Sequence, residues 1–476
     1  MTPLRILTHG GRIAPNDLRQ VVGWALDYGL TTLEVGNRQE ILLRPPTRTI
    51  REDLARRIHA LGLPTDETDS QRPNLVSSLP ATDLLADTPW LTAGTYLDCL
   101  AQFRDWTPRL KINLVDPVQT LVSPFTGNIN FIASPEPGYW YVFLRPSGSV
   151  RRYAWPILIE SESLEKFVRV VEHHYFQHSP DSGVRATADA FYRAVMADFQ
   201  GNTRRVREPL TRDDTPTPIY EGFHRSPTGH YWLGLFRRQT VFPLPFIDAL
   251  CDQCRSSRIG QLYLTPYKTI LVKDIREADR PAWDRLLGRH GIRTNLPGWY
   301  LNWQLPNADE QSVLVRNEIL QQLDNADIRT DELSFAINVP FSEAVASVII
   351  HQNGSPQSFD VYQRTGHSAT NAQYVLFAKS QPLAQLSDAI RQLSLAYYER
   401  LSTPTPVGFA DDDRPAEQPQ HCVHECPACL SRYDERYGEP GRGFAPGTPF
   451  TTLPDTYTCG LCDTEKAAFT PKWVAA

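Results

Sequence analysis

Four of the eight cysteines in this 476-residue chain fall within its last 51 residues as two C-x-x-C pairs, Cys426 with Cys429 and Cys459 with Cys462, separated by 29 residues. Two thiolates on one such turn can share a metal, because the backbone between them curls its N–H groups toward the sulfurs, and two turns together supply a tetrahedron. The tail is thereby constrained to a small fold built around one ion. Eight cysteines are too few to staple a chain of this length with disulfides, and clustering of this kind belongs to metal ligands in reducing compartments. On spacing alone, a tetrahedral four-sulfur site takes zinc or iron.

The rest of the chain is too long for one core, and its length predicts two to four units. Hydrophobic residues make up 41% and charged residues 21%, no stretch approaches the roughly 18 apolar residues of a membrane span, and no membrane association is expected. The first residues lack a basic start with a long apolar segment behind it, so the expected location is cytoplasmic. With 48 basic and 54 acidic residues the net charge is −6, and without a long basic run there is no footprint for nucleic acid.

Residues 403–421 are rich in proline and acid and read as a linker. Before it, residues 380–401 repeat apolar positions at three- and four-residue intervals and predict an amphipathic helix that closes a large body. The body contains an internal echo with a period of about 225 residues. Its first strip has a strand at Arg12–Pro15, a helix at Asn16–Tyr28 and two short strands within Thr31–Leu43. The second has a strand at Val241–Pro245, a helix at Phe246–Ser256 and two strands within Gln261–Val272. Helices follow at Arg51–Leu61 and Arg280–His290, and buried strands at Leu110–Val115 and Phe335–Pro340 continue the match downstream. A duplicated body is expected, with halves 1–225 and 226–402, then the linker 403–421 and a metal domain 422–474.

Between the cysteine pairs stand Tyr433, the run from Gly438 to Pro440, the run from Gly443 to Phe450, Leu453 to Asp455, and Tyr457, with Lys466 and Phe469 following the second pair. Through these residues the tail resembles rubredoxin over about 50 residues. The resemblance implies a single iron held by Cys426, Cys429, Cys459 and Cys462 that cycles between Fe3+ and Fe2+, in place of a structural zinc. A domain this small buries little apolar surface, and Tyr433, Phe444, Phe450, Tyr457 and Phe469 are expected to form its core and shield the sulfurs. Rubredoxins usually have glycine after each cysteine pair, where this chain has Leu430 and Asp463. The tail from His421 carries five basic and seven acidic residues, so a partner is expected to present a positive face.

The repeated strips are similar to the half-domains of siroheme-dependent nitrite and sulfite reductases. The resemblance rests on Gly11 to Pro15, Asn37 to Leu43, Arg72 to Val76 with Asp87 to Pro89, and Arg109 to Lys111 leading to Gly127 to Phe131. It implies an α+β fold: a duplicated siroheme-reductase-like body with ferredoxin-like half-domains, plus a small metal-bound rubredoxin-like domain. It also implies a basic pocket for cofactor carboxylates at Arg38, Arg72, Arg109 and Lys111. The family takes a [4Fe–4S] cluster from four cysteines of its second half, and here no cysteine lies between Cys254 and Cys422. The segments in question run from Leu301 to Asp309 and from Val339 to Val345. No [4Fe–4S] cluster is expected.

Cys251 and Cys254 form a third C-x-x-C inside an expected helix and read as a half-buried pair. Cys99 reads as core, and Cys422, with His421 and His424, carries no role. Gly-rich phosphate loops, H-E-x-x-H and G-x-S-x-G are missing, so no catalytic constellation is proposed. The expectation is a one-electron carrier, more a carrier than a complete reductase, serving nitrite- or sulfite-type assimilatory reduction. Its expected partner is a redox protein, either a reductase or an NAD(P)H-dependent electron donor. Two alternatives are a body that binds siroheme and is fed by its own tail, and a non-redox interaction protein with a zinc knob.

Overall fold

A computed structural model describes residues 2–66, 73–85, 88–149, 152–177, 185–210, 220–294, 301–330, 333–355, 357–365, 373–402, 420–427, 431–436, 438–439, 442–445, 447–459 and 464–475. The chain divides into a body, residues 1–400, and a C-terminal unit, residues 401–476.

The two repeated strips fold alike and exchange strands. In the first, strand Arg12–Ile13 leads into helix Pro15–Asp27, then strands Thr32–Val35 and Ile41–Leu43. In the second, strand Val241–Pro243 leads into helix Leu244–Ser256, then strands Leu262–Leu264 and Ile270–Ile275. Both helices open with proline in the first turn, where its missing N–H costs nothing. The leading strand of each strip pairs with the other strip, Phe242 standing opposite Leu33 and Ile13 opposite Leu262. The turns inside each strip also match. Gly36 N–H bonds Glu40 O at 2.8 Å with Gln39 at φ 61°, and Thr265 N–H bonds Thr269 O at 3.0 Å with Lys268 at φ 60°.

This exchange explains why the two helices are apolar on their inner faces. Leu18, Val21, Val22 and Ala25 of one and Phe246, Ile247, Leu250 and Cys254 of the other lie in a single core that both strips share. Each fully buried Val, Leu, Ile or Phe there contributes about 1.5–3 kcal/mol. The strips therefore meet across a common core, and the boundary expected near residue 225 falls in strand Gly222–Arg225 of a sheet that also takes in Arg12–Ile13.

Two further sheets repeat downstream. A six-stranded sheet runs Thr203–Arg205, Tyr153–Glu160, Tyr139–Leu144, Ile129–Ala133, Ile112–Val115, Val76–Ser77. A five-stranded sheet runs Trp303–Gln304, Phe335–Ile337, Val348–Gln352, Ser358–Thr365, Gln373–Pro382. In both, three parallel strands are followed by antiparallel ones, and a helix, Leu164–Gln177 or Leu386–Ser402, comes after the longest-running antiparallel pair. The amphipathic segment expected at 380–401 starts as a helix only at Leu386. Residues up to Pro382 complete the edge strand and Leu383–Gln385 make a 3₁₀ turn, because proline ends a ladder but cannot donate inside a helix. Among the described residues no helix is long and apolar enough to cross a membrane.

In the C-terminal unit, strand Gln420–Glu425 pairs antiparallel with Thr470–Ala475 and with Arg432–Tyr433. Most of the expected linker, 403–419, lies outside the described residues, and the strand takes up its last two positions by extending the ladder to Gln420. The core of the unit is Tyr433, Phe450, Leu453, Tyr457 and Phe469, with Phe444 against it.

Candidate metal centre and basic cleft

The three-stranded sheet of the C-terminal unit delivers the first cysteine at the end of strand Gln420–Glu425. Cys426 N–H donates to Ser431 O at 2.8 Å, and Cys459 N–H donates to Thr464 O at 2.8 Å. In both cases the acceptor stands five residues after the cysteine. Both described cysteines are buried, Cys426 at 0% and Cys459 at 1% exposure. Cys429, Leu430, Cys462 and Asp463 lie outside the described residues. The Ser431 hydroxyl stands 2.9 Å from the Cys459 sulfur, a contact that spacing arguments missed because serine replaces no recognised ligand.

The aromatic residues read from the sequence surround these turns. Tyr433 donates to Thr448 O at 2.9 Å and Tyr457 donates to Glu439 at 3.1 Å, so both phenols enter the core with their hydroxyls satisfied. His424 stacks on Phe450 with ring centroids 4.1 Å apart. Gly438, at φ 55°, could carry no side chain, since a Cβ would sit 2.4 Å from Ala445 O. Bonds from Lys472 and Arg432 hold the Glu425 carboxyl below the usual carboxylate range, fixing the strand just before Cys426. The two described cysteines, buried in this aromatic shell, are soft donors of the kind that zinc or iron takes.

The body holds a cleft of about 580 Å³ whose lining includes Arg5, Arg38, Arg109, Lys111, Glu40 and Glu343. Three of the four basic residues read from the sequence, Arg38, Arg109 and Lys111, therefore meet at one place, and Arg72 lies outside the described residues. Their charges are largely engaged by the protein. Arg38, carried on the turn between strands Thr32–Val35 and Ile41–Leu43, donates to Asn74 O at 2.8 and 3.1 Å and to Ile112 O at 2.9 Å. Burial brings its guanidinium down to about 10, so it remains charged at neutral pH. Lys111 pairs with Glu343, and burial lowers the lysine's pKa while Glu343 opposes the shift. Arg109 lies 3.7 Å over the Phe176 ring. On the adjacent wall Glu40 accepts from Asn307 at 3.0 Å.

Glu343 was not foreseen, although it belongs to the Val339 to Val345 segment singled out in the sequence. A carboxylate of the chain itself thus pairs with Lys111 in the cleft. The donor set does not fit a [4Fe–4S] cluster, having no thiolate between Cys254 and Cys422. In the cleft, Arg38 and Lys111 already have acceptors inside the protein.

Three further cysteines, Cys99, Cys251 and Cys254, are buried in the body. Cys251 and Cys254 lie buried on helix Leu244–Ser256 within the shared core. Burial pushes the Cys251 thiol up to about 12 and that of Cys254 still higher, so both stay protonated. Cys99, buried on helix Ala93–Ala101, is pushed up to about 12 in the same way.

Comparison with known proteins bears on both regions. The family model for rubredoxin matches residues 423–469. The high molecular weight rubredoxin of Moorella thermoacetica is 34% identical over 85 residues, 16% of this chain and 36% of that protein, so the chain spans about a third of its length. The Probable Rubredoxin-1 of Methanocaldococcus jannaschii is 36% identical over 66 residues, 13% of this chain and 82% of that protein. Among solved structures, the NirA protein of Mycobacterium tuberculosis superposes with a TM-score of 0.64 at 15% identity, covering 83% of this chain and 81% of that one. At that identity the likeness shows the fold: the body is a mixed α/β structure of the NirA type, followed by the C-terminal domain.

Proposed function

We propose that this chain, which belongs to the rubredoxin family through its C-terminal domain, is a one-electron transfer protein whose tail holds one iron through Cys426, Cys429, Cys459 and Cys462. The observation that carries the reading is the burial of Cys426 and Cys459 in one aromatic core, each with its N–H bonded to a carbonyl five residues on. When bound, the ion supplies a ferric/ferrous couple and, with four protein ligands, no open position for a substrate. The chain's own residues then orient and shield that couple: the strand pairing sets Cys426, the two N–H···O bonds fix the turns, and the aromatic shell excludes water.

The body serves this transfer as a docking platform. We read it as a duplication, halves 1–225 and 226–402, that keeps a siroheme-reductase-like fold without the thiolates or the unspent basic pocket a reductase centre needs. It engages a nitrite- or sulfite-type reductase, or the NAD(P)H-dependent protein that reduces one, in a cytoplasmic setting. The acidic, proline-rich stretch 403–419 keeps the iron at high effective concentration beside the engaged partner. Iron held by Cys426, Cys429, Cys459 and Cys462 would let the tail take one electron from a donor protein and give one to an acceptor.

The reading is tested by reducing the full chain anaerobically with dithionite, removing the excess and mixing it with a siroheme nitrite or sulfite reductase. Reoxidation of the tail coupled to product formation, together with a complex in sedimentation, is expected. Neither reoxidation nor a complex with the reductase or its donor would overturn it.

A further inference from the structure

The Ser431 hydroxyl lies 2.9 Å from Sγ of Cys459, across from its own turn. From this we infer that Ser431 is a potential-setting residue: its hydroxyl donates to the Cys459 thiolate and favours the ferrous state of the tail. This rests on the iron reading given above.

The residue is held for the role from both sides. Its carbonyl accepts from Cys426 N–H at 2.8 Å, closing the first cysteine turn. The next two residues, Arg432 and Tyr433, are locked opposite Glu425 and His424 in the sheet. Backbone freedom is thus spent on the first turn, while the half-buried side chain reaches a sulfur of the second. Ser431 joins the two halves of the ligand set by one carbonyl and one hydroxyl.

A thiolate bound to a metal offers no proton, so the hydroxyl must donate and the sulfur accept. Reduction adds one electron and no proton to the centre, no bond forms or breaks, and the added negative charge is shared by the sulfurs. A hydrogen bond to a more negative sulfur is stronger, so the donor stabilises the reduced form more than the oxidised one. The aromatic shell of Tyr433, Phe450 and Tyr457 keeps water from screening this difference.

The test is a redox titration of the full-length protein with mediators, dithionite as reductant and ferricyanide as oxidant, following the visible absorption of the ferric form. Ser431→Ala is expected to shift the ferrous-to-ferric ratio at a fixed potential about threefold to tenfold toward ferric, tenfold being about 59 mV for one electron. The isosteric pair Ser431→Thr and Ser431→Val isolates the hydroxyl, and Thr is expected to restore most of the ratio while Val behaves as Ala. Ratios within twofold of wild type in both the Ala and Val variants would overturn the inference and leave the iron reading intact. Loss of iron from both would overturn it too, by making Ser431 structural. A wild-type protein that itself holds no iron would sink the reading beneath it.

Discussion

The tail and the cleft each gather residues singled out in the sequence as candidate ligands, and they dispose of them in opposite ways. Around Cys426 and Cys459 the protein spends backbone bonds on shaping the turns and places a hydroxyl against a sulfur. Around Arg38 and Lys111 it spends the charges themselves, on two backbone carbonyls and on Glu343. A site is therefore not recognised by which residues converge on it. What decides is whether those residues point their polar atoms at the space or at one another, since a buried charge must find a partner somewhere.

The sharpest way to break this contrast is to remove a ligand from the tail. Cys459→Ser should reduce bound iron from one per chain to nearly none and unfold the tail, because metal binding is most of the folding free energy of so small a domain. The body's unfolding transition should stay where it was. Metal analysis with limited proteolysis checks both, and a variant that keeps its iron would mean the tail is not organised as described.

A smaller effect is expected in the cleft. Arg38→Ala leaves the carbonyls of Asn74 and Ile112 buried without their donor, which should cost about 2–4 kcal/mol in denaturant unfolding of the body. A loss below about 0.5 kcal/mol would show that the guanidinium is not structural, and would return it to the list of ligand-binding groups. Glu343→Gln should cost about 1 kcal/mol or less, because both partners of the pair are about one-third exposed. By freeing Lys111 it should strengthen binding of an octacarboxylate porphyrin probe by about fivefold in a fluorescence titration. Saturable binding by the wild type as tight as by the variant would contradict the view that Glu343 already fills that position.

The smallest effect is a pH dependence beside the cleft wall. His351, whose ring lies 4.9 Å from that of Phe341, is shifted by burial below its ordinary 6.5. The fold thus disfavours the protonated ring. This contribution to stability is complete above 6.5 and is lost as the pH falls below it, through the depressed value. Thermal unfolding of wild type and His351→Asn across that range should show a steeper acid loss in the wild type, and parallel curves would remove His351 from the account.

Much of this was legible in the sequence, for physical reasons that differ from place to place. The repeated strips could be read because strand, helix and turn patterns are local, and even the left-handed turns at Gln39 and Lys268 recur at matching places. The exchange of leading strands between repeats could not, since Ile13 opposite Leu262 is a pairing across more than two hundred residues that no periodicity announces. The same limit applied to the sites. Aromatic residues between the cysteines marked the small core, because so short a domain has few other ways to be stable. Arg38 and Lys111 were found as basic residues of a shared cleft, but their acceptors were set by distant backbone and by Glu343, which only the folded chain brings together. Ser431 carried no signal at all, because a hydroxyl becomes informative only when a sulfur is seen beside it.

The central claim is that the tail is the chain's redox-metal site and that the body holds no tetrapyrrole. It is tested most directly by metal analysis and a visible spectrum of the full-length protein, made with iron and tetrapyrrole supply both ample. One iron per chain, with the absorption of ferric four-thiolate iron that bleaches on reduction by dithionite and no Soret band, is the predicted result. A colourless protein with one zinc, or a Soret band in stoichiometric amount, would contradict it.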